Sequence, residues 1–246
     1  SIALAEPDKL GRARRIINSA QRYMEAAKAT FDTSLSLGGL HLVVECAHGA
    51  AYRTAPETLV ELGADILPMG VAPDGLNINL ECGATAPEGM ARAVREAGAD
   101  IGISLDGDAD RLILADEKGR ICDGDQILAA LAVEMKENGR LKGPVIGTVM
   151  SNLGLERFLA DAGIDFQRAA VGDRYIAAQM RETGSQLGGE PSGHILLPEL
   201  TRTGDGLIAA LQVLAILARS GKKASEILSS FTPVPQKLVN LRDMDK

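Results

Sequence analysis

The sequence predicts an α/β protein built from two successive α/β/α domains with mixed sheets. Short apolar runs alternate with segments in which apolar residues recur at helical spacing, as is typical of α/β units. This rhythm runs through the first half of the chain and is then repeated in the second. Of the 246 residues, 46% are hydrophobic and 24% are charged, which indicates a packed core that needs no disulfides. We place the domain boundary near Gly119–Cys122, giving domains 1–120 and 121–246.

The first half opens with a predicted linker at 1–8. A helix to about Ala29 follows, because apolar residues recur at helical spacing from Leu10 onward. Gly63 ends a second helix, and Pro87 lies at the first turn of a third. The remaining elements are, in order, a strand at 40–45, a helix at 51–62, a strand at 64–67, a loop at 70–85, a helix at 87–97, and strands at 100–105 and 111–116.

The second half repeats the alternation and contains a strongly apolar helix near its end. Its predicted elements are a helix at 125–137, a strand at 145–149, a helix at 153–162, a strand at 166–170, a helix at 175–182, short strands at 186–188 and 195–197, and the apolar helix at 206–218. A last strand at 237–241 has no following partner, and the chain opens on Ser rather than Met. We therefore expect the chain to be part of a longer protein.

Composition excludes several classes of partner. The net charge is −7 and no run of Lys and Arg forms a basic patch, so neither nucleic acid nor an anionic membrane is expected. No apolar stretch approaches the ~20 residues that a membrane span requires. Cys46, Cys82 and Cys122 are odd in number and far apart, which predicts free thiols in a reducing cytoplasm.

The segment Asp106–Arg111 carries three carboxylates that alternate with small residues, directly after a predicted buried strand. Small spacers allow a tight loop to turn its carboxylates toward one point, where they repel one another unless a cation is present. All-oxygen ligands suit Mg²⁺ or Ca²⁺. We predict that Asp106, Asp108 and Asp110 bind a divalent cation, most simply Mg²⁺; a solvated acidic turn is the alternative.

Two other acidic-loop sites are weaker alternatives. An EF-hand would place Glu117 correctly at position twelve, but its position six is Arg111 where that motif needs Gly, and a strand precedes the loop. A phosphatase with an aspartyl nucleophile also has acidic residues after a strand, but the third carboxylate and the adjacent Arg fit it less well.

A cation beside a bound metal makes a phosphate site, so we predict that Arg111 contacts phosphate; a salt bridge to a neighbouring aspartate is the simpler alternative.

A second candidate loop, Gly188–His194, places Glu190, Ser192 and His194 where glycines allow close approach to a ligand. Carboxylate and hydroxyl groups can bind sugar hydroxyls, and an imidazole can move a proton near neutral pH. Taken alone, such a loop is more often a simple turn. Two further loops precede helices at 171–175 and 203–206, and the aspartate in each is a candidate N-cap.

Together these loops resemble those of the α-D-phosphohexomutase superfamily. Asp106–Arg111 resembles its metal-binding loop, a motif highly specific to that family, and Gly189–His194 resembles its sugar-recognition loop. The segments 148–152, 171–175 and 203–206 resemble the branch that acts on glucosamine phosphates. Order and spacing agree from about Leu10 to Leu241, which is nearly the whole chain.

The resemblance implies a four-domain enzyme of which this chain is the second and third domains, with the first and fourth domains outside it. It implies that Asp106, Asp108 and Asp110 hold Mg²⁺ and that Arg111 lies beside a phosphoserine. It makes His194 a candidate catalytic acid or base.

The same resemblance assigns the sugar-binding residues. It implies that Glu190 and Ser192 bind hydroxyls of a phosphorylated hexosamine. Gly172 and Asp173 would lie on the loop that orients the sugar in its two binding modes.

The implied reaction interconverts glucosamine 6-phosphate and glucosamine 1-phosphate through a phosphoserine and a bisphosphorylated intermediate, with Mg²⁺ neutralising charge. Its product supplies UDP-N-acetylglucosamine and cell-wall precursor synthesis. Neither a Ser-His-Asn-type loop nor a C-terminal phosphate-binding loop occurs in the sequence, so we expect this chain alone to be inactive. Ala109 stands where the family usually has Gly, and His48 where Asn is common.

Two alternatives remain beside this function. A phosphomannomutase/phosphoglucomutase of the same superfamily is one, although Pro191 and the loop Val171–Tyr175 favour glucosamine. A stand-alone, non-catalytic module that binds a metal or a phosphosugar is the other.

Overall fold

The structure, a computed structural model, describes residues 4–6, 9–13 and 15–237. In that part of the chain the first half contains α1 (Ser19–Lys28), β1 (His41–Glu45), α2 (Thr54–Glu61), β2 (Asp65–Met69), α3 (Glu88–Ala97), β3 (Ile101–Leu105), β4 (Leu112–Asp116) and β5 (Ile121–Cys122). The second half contains α4 (Gly124–Glu137), β6 (Val145–Thr148), α5 (Leu153–Asp161), β7 (Phe166–Ala169), α6 (Asp173–Thr183), β8 (Gly188–Gly189), β9 (Ile195–Leu196), α7 (Gly206–Ser220) and α8 (Ala224–Leu228). The predicted pair of α/β/α domains with mixed sheets is confirmed.

The first sheet has the strand order β2-β1-β3-β4-β5. β1 runs parallel to β2 and β3, whereas β4 and β5 pair in antiparallel fashion. β3 and β4 are buried along their whole length, which explains their nearly continuous runs of small and apolar residues. Pro68 lies on β2, at the edge of this sheet, where a missing N–H is tolerated.

The second sheet has the order β7-β6-β8-β9, with β6 parallel to both β7 and β8, and β9 antiparallel to β8. Because β7 and β8 flank β6, the chain crosses over β6 between them. The loops after β6, β7 and β8 therefore reach the same edge of the sheet. Ligands of open α/β sheets bind at such an edge, where the strand order reverses.

Two helices lie between the sheets. α7 contacts β3 and β4 of the first sheet and β9 of the second, and α4 contacts β4, β5 and β8. Leu207, Leu211 and Leu214 of α7 are fully buried, and each contributes about 2 kcal/mol of apolar burial. A helix that is apolar on all sides is stable when it is buried on all sides. One hydrophobic core consequently extends from the first sheet through α4 and α7 to the second.

The first predicted helix is too long at its start. α1 begins at Ser19, and Leu10, Ile16 and Ile17 lie before it and are exposed. Met24 and Ala27, which fit the same helical spacing, are buried. A helix in a protein is stabilised mainly by the apolar face that it buries. The apolar side chains that the structure describes before Ser19 are exposed and pack against no neighbouring element, so the spacing alone does not form a helix there.

The other predicted elements are confirmed with shifts of a few residues at their ends, and two short elements were missed. β5 is only two residues long and pairs with β4 across the turn at Gly119. α8 has five residues, and Glu117 accepts hydrogen bonds from the N–H and hydroxyl of Ser225 near its start. Segments this short carry too little periodicity to be recognised.

Two further predictions concern the last strand and the domain boundary. The predicted strand at 237–241 lies outside the described residues except for Lys237, which is not in a strand. The predicted domain boundary falls in the hairpin between β4 and β5, both of which belong to the first sheet.

Over the described ranges, which omit 1–3, 7–8, 14 and 238–246, no helix is long and apolar enough to cross a membrane.

Candidate functional site

The loop Asp106–Arg111, hereafter the metal loop, joins the antiparallel strands β3 and β4. The Ala109 N–H donates to the Asp106 carbonyl at 3.1 Å, which closes a tight turn at the carboxyl end of β3. Strands rather than helices flank the loop, so the rejection of an EF-hand is confirmed.

The three aspartates of the metal loop converge. Asp106, Asp108 and Asp110 each offer one carboxylate oxygen, and these oxygens lie within 4.8 Å of one another. Asp106 is buried; its pKa is raised by that burial and, to a smaller extent, by the charges of Asp110 and Asp108. A set of close carboxylate oxygens, one of them desolvated, fits a hard divalent cation that neutralises them.

Arg111 lies beside two of these carboxylates without a tight pairing. Its Nε is 3.8 Å from Asp106 Oδ2 and 3.8 Å from Asp110 Oδ1, and its side chain is 44% exposed. Its backbone N–H donates to Asp106 Oδ1 at 3.1 Å. The backbone therefore fixes Arg111 beside the metal loop while the guanidinium, too far away for direct hydrogen bonds, is free to turn toward an anion.

The structure brings His194 to the metal loop across 83 positions of sequence. Arg111 and His194 form an antiparallel bridge, and the Leu112 N–H donates to the Gly193 carbonyl at 2.9 Å. His194 Nδ1 lies 3.2 Å from Asp110 Oδ2. The ring is buried, and its Nε2 has no hydrogen-bond partner among the described residues.

Glu190 joins the second candidate loop to the loop after β7. Its Oε1 accepts a hydrogen bond from the Gly172 N–H at 3.0 Å, and the Ser192 hydroxyl donates to its Oε2 at 3.4 Å. Gly172 has φ 121°, a conformation that glycine adopts without strain. Two loops, one after β7 and one after β8 on either side of β6, therefore meet and present Glu190 and exposed Ser192 at one edge of the second sheet.

Among the described residues, no hydrogen bond joins Asp173 to Glu190 or Ser192. It is exposed at the first position of α6, and its Oδ1 accepts a hydrogen bond from the adjacent Arg174 N–H at 2.6 Å. Gly172, not Asp173, occupies the N-cap position, and no side-chain cap is made there. The simple N-cap interpretation of this aspartate is therefore wrong.

Neighbouring loops impose the conformation of the metal loop. The Ala50 N–H donates to the Gly107 carbonyl at 2.7 Å, and a side chain on Gly49 would strike Gly107. Ala47, His48 and Ala109 all have φ between 51° and 62°, a left-handed conformation uncommon for residues other than glycine. Ala109, which stands where the resembling family usually has Gly, thus adopts a conformation that glycine would reach without strain.

Two residues of the site were not identified from the sequence. The Tyr23 hydroxyl contacts both carboxylate oxygens of Asp205 at 3.0 Å, beside an open cavity of about 490 Å³ that Asp108 also lines. Burial, and then the Asp205 charge, raises the pKa of Tyr23. Asp205 was expected only as a helix cap, which is confirmed by its hydrogen bond from the Ile208 N–H at 3.0 Å. No local signal joins it to a tyrosine 182 positions away.

Comparison with known proteins shows which chains this one is similar to. Residues 21–119 match the family description phosphoglucomutase/phosphomannomutase, alpha/beta/alpha domain II, and residues 123–234 match domain III of the same family. A phosphoglucosamine mutase of Phenylobacterium zucineum is 58% identical over 240 residues, which are 97% of this chain and 53% of that protein. The chain thus spans about half the length of the curated relatives it matches.

Solved structures agree with this similarity. A phosphoglucomutase/phosphomannomutase family protein from Burkholderia thailandensis superposes with a TM-score of 0.75 and 28% identity, covering 87% of this chain and 46% of that one. An Aspergillus fumigatus N-acetylphosphoglucosamine mutase, solved with GlcNAc-6P and magnesium, has a TM-score of 0.71 and 26% identity, covering 89% of this chain and 55% of the other.

Proposed function

Because this chain belongs to the phosphoglucomutase/phosphomannomutase family, we propose that it forms the metal-binding and sugar-binding middle of a phosphoglucosamine mutase. The observation that carries the proposal is the joining of the three-aspartate metal loop to the Glu190–His194 loop through the Arg111–His194 bridge. One continuous surface then presents carboxylates, a guanidinium and sugar-binding groups.

The whole protein, on this proposal, interconverts glucosamine 6-phosphate and glucosamine 1-phosphate. A phosphoserine from outside these 246 residues donates its phosphoryl group, and a bisphosphorylated intermediate returns the other one. The domain assignment, 1–120 as domain II and 121–246 as domain III, is part of the proposal. The relatives' greater length and their names support it.

Asp106, Asp108 and Asp110 would hold Mg²⁺. When bound, the ion supplies positive charge that neutralises phosphoryl oxygens. The protein's own contribution is a loop whose shape is set before any ligand arrives, by the turn at Ala109 and by the Ala50–Gly107 hydrogen bond. Such preorganisation removes the cost of ordering the ligands during the reaction.

Arg111 and His194 would serve the phosphoryl group and its proton. Arg111, half-exposed beside Asp106 and Asp110, would bind phosphate oxygens with a charge-assisted hydrogen bond. His194 Nδ1 faces Asp110, which leaves Nε2 to exchange a proton with a sugar hydroxyl. That ring is buried against Gly204, which keeps it in contact with Asp110.

Glu190 and Ser192 would bind sugar hydroxyls, with Gly172 and Asp173 on the adjoining loop. Glu190 Oε1 is already held by the Gly172 N–H, so the carboxylate is oriented before the sugar binds. Asp173, exposed at the start of α6, would bind the sugar from the adjoining loop.

We also place this protein in a reducing compartment such as the cytoplasm. Cys46, Cys82 and Cys122 are free, and burial raises the pKa of Cys46 to about 12 and that of Cys122 to about 11. Thiols with such pKa values are protonated and inert at neutral pH.

The proposal is tested by metal binding and by turnover. We expect the 246-residue chain to bind Mg²⁺ weakly in titration calorimetry, and Asp108→Ala to lose that binding while the control Asp161→Ala, an exposed aspartate at the end of α5, retains it. The chain alone should show no turnover of glucosamine 6-phosphate. The full-length protein should convert glucosamine 6-phosphate faster than mannose 6-phosphate; the opposite preference would assign it to phosphomannomutases.

A further inference from the structure

The start of α7 contacts the metal loop through its backbone. The Gly206 N–H, an otherwise unused donor at a helix N-terminus, donates to the Ala109 carbonyl at 2.8 Å. A side chain on Gly206 would come within 2.7 Å of the Arg111 carbonyl and 3.1 Å of the Ala109 carbonyl. Only glycine at position 206 therefore allows α7 to approach the metal loop this closely.

The residues just before α7 contact the same region. Gly204 packs against the imidazole of His194 so closely that a side chain there would strike the ring. His194 in turn contacts Asp110 of the metal loop. The segment 203–206, hereafter the clamp, thus touches the metal loop at Ala109 directly and at Asp110 through His194.

Asp205 fixes the clamp in place. Its carboxylate accepts the Ile208 N–H as the cap of α7 and also contacts the Tyr23 hydroxyl of α1 through both oxygens. Tyr23 lies on α1 and Asp205 caps α7, so this partly buried contact joins the first half of the chain to the second. Asp205 is partly buried, and a hydrogen bond to an ionised carboxylate belongs to the stronger, charge-assisted kind.

We propose that Tyr23, Asp205 and Gly206 are positioning residues that hold the metal loop in its cation-binding shape from outside the ligand set. This inference deepens the proposed function, because it rests on the cation role of the metal loop. Residues that orient metal ligands without touching the metal alter affinity by about 10–100-fold when they are changed. The clamp would make the cation affinity of one domain depend on its contact with the other.

The test compares two hydrogen bonds between α7 and the first half of the chain. Tyr23→Phe removes the hydroxyl at the metal-loop end of α7, whereas Gln212→Met removes the Gln212 donor to the Thr30 carbonyl, 3.1 Å long, farther along the same helix. We measure Mn²⁺ affinity by electron paramagnetic resonance, and hydrogen exchange of the Ala109, Arg111 and Gly206 amides without metal.

Tyr23→Phe and Asp205→Ala should weaken Mn²⁺ binding about tenfold. They should also accelerate exchange of those three amides more than exchange of β3 amides. Gln212→Met should do neither, and Asp205→Asn, which keeps an acceptor for both Ile208 and Tyr23, should restore most of the affinity lost in Asp205→Ala.

The clamp proposal would be overturned if amide exchange accelerated equally across β3 and the metal loop. It would also be overturned if Tyr23→Phe and Gln212→Met weakened Mn²⁺ binding equally. Absence of Mn²⁺ binding in the unchanged chain would instead refute the cation role of the proposed function. In that case the amide exchange rates still test the clamp proposal. Selective acceleration of exchange at the metal loop in Tyr23→Phe supports it, and unchanged rates overturn it.

Discussion

The two sheets present their acidic residues in opposite ways. At the first sheet, one short loop carries three carboxylates whose oxygens lie within 4.8 Å of one another. At the second sheet, two carboxylates are held by backbone donors from another loop: Glu190 by the Gly172 N–H, and Asp125 by the Asn152 N–H at 2.6 Å.

The comparison separates a candidate cation site from two carboxylates that the protein itself pairs with backbone donors. Burial raises the pKa of both Asp106 and Asp125, so a raised pKa does not distinguish the two regions. Their partners do. The metal-loop carboxylates lie so close together that they need an added positive charge even though Asp106 accepts the Arg111 N–H, whereas Glu190 and Asp125 are each stabilised by an N–H from another loop.

The largest expected effect is at the metal loop. Asp108→Ala in the full-length protein should abolish turnover of glucosamine 6-phosphate, because it removes a cation ligand from the reaction. Asp108 is exposed, and its removal also relieves repulsion, so the unfolding midpoint should be unchanged or slightly higher. Kinetic assay and thermal unfolding give the two values. Full activity would remove the cation role and with it the contrast between the sheets.

Glu190→Gln tests the second sheet. The amide oxygen can still accept the Gly172 N–H, so the loop should keep its shape while its charged hydrogen bonds to a sugar are lost. Such bonds contribute about 1.5–3 kcal/mol each, so kcat/KM should fall roughly 10–100-fold. Mn²⁺ affinity should not change. A loss of Mn²⁺ affinity equal to that of Asp108→Ala would show that the two regions are not separate.

Asp125 provides the pH test of the same contrast. Burial raises its pKa from 3.8 to about 6, against the lowering effect of the Asn152 N–H. Between about pH 4 and pH 6, the folded state therefore keeps a proton on Asp125 that the unfolded state has released. The free energy of unfolding consequently falls as pH rises through this range.

Relative to Asp125→Asn, the unchanged protein should lose about 1 kcal/mol of unfolding free energy between pH 5 and pH 7.5. Urea unfolding at the two pH values measures this difference. Parallel pH profiles for the two proteins would mean that Asp125 is charged in the folded state at pH 5.

The smallest effect is expected at Ala109. Its φ of 62° is left-handed, which costs a residue with a side chain about 1 kcal/mol, partly offset by the greater freedom of glycine in the unfolded chain. Ala109→Gly should therefore raise the unfolding free energy by somewhat less than about 1 kcal/mol. Ala47→Gly, at φ 53° in the adjoining loop, is the matched control for strain outside the metal loop. A loss of stability in Ala109→Gly would show that its methyl group makes a needed contact.

Local patterns predicted the elements whose periodicity was long enough to be recognised. The alternation of strands and helices was visible because α4, α5 and α7 each carry two or more turns of recurring apolar residues. The start of α1 was misplaced because Ile16 and Ile17 fit the same spacing but have nothing to pack against. Periodicity records which face could be buried, and only tertiary contacts decide whether it is.

The sequence by itself determined the chemistry of the metal loop, since Asp106, Asp108 and Asp110 are adjacent in one segment and a tight turn must bring them together. It also singled out the Glu190–His194 loop as a second candidate site. Only the tertiary structure decided that His194 reaches Asp110, that Glu190 is held by Gly172, and that Tyr23 and Asp205 meet beside the metal loop. These contacts join residues far apart in the chain, and their partners are fixed by how α1, α7 and the two sheets pack around one core, which no local pattern records.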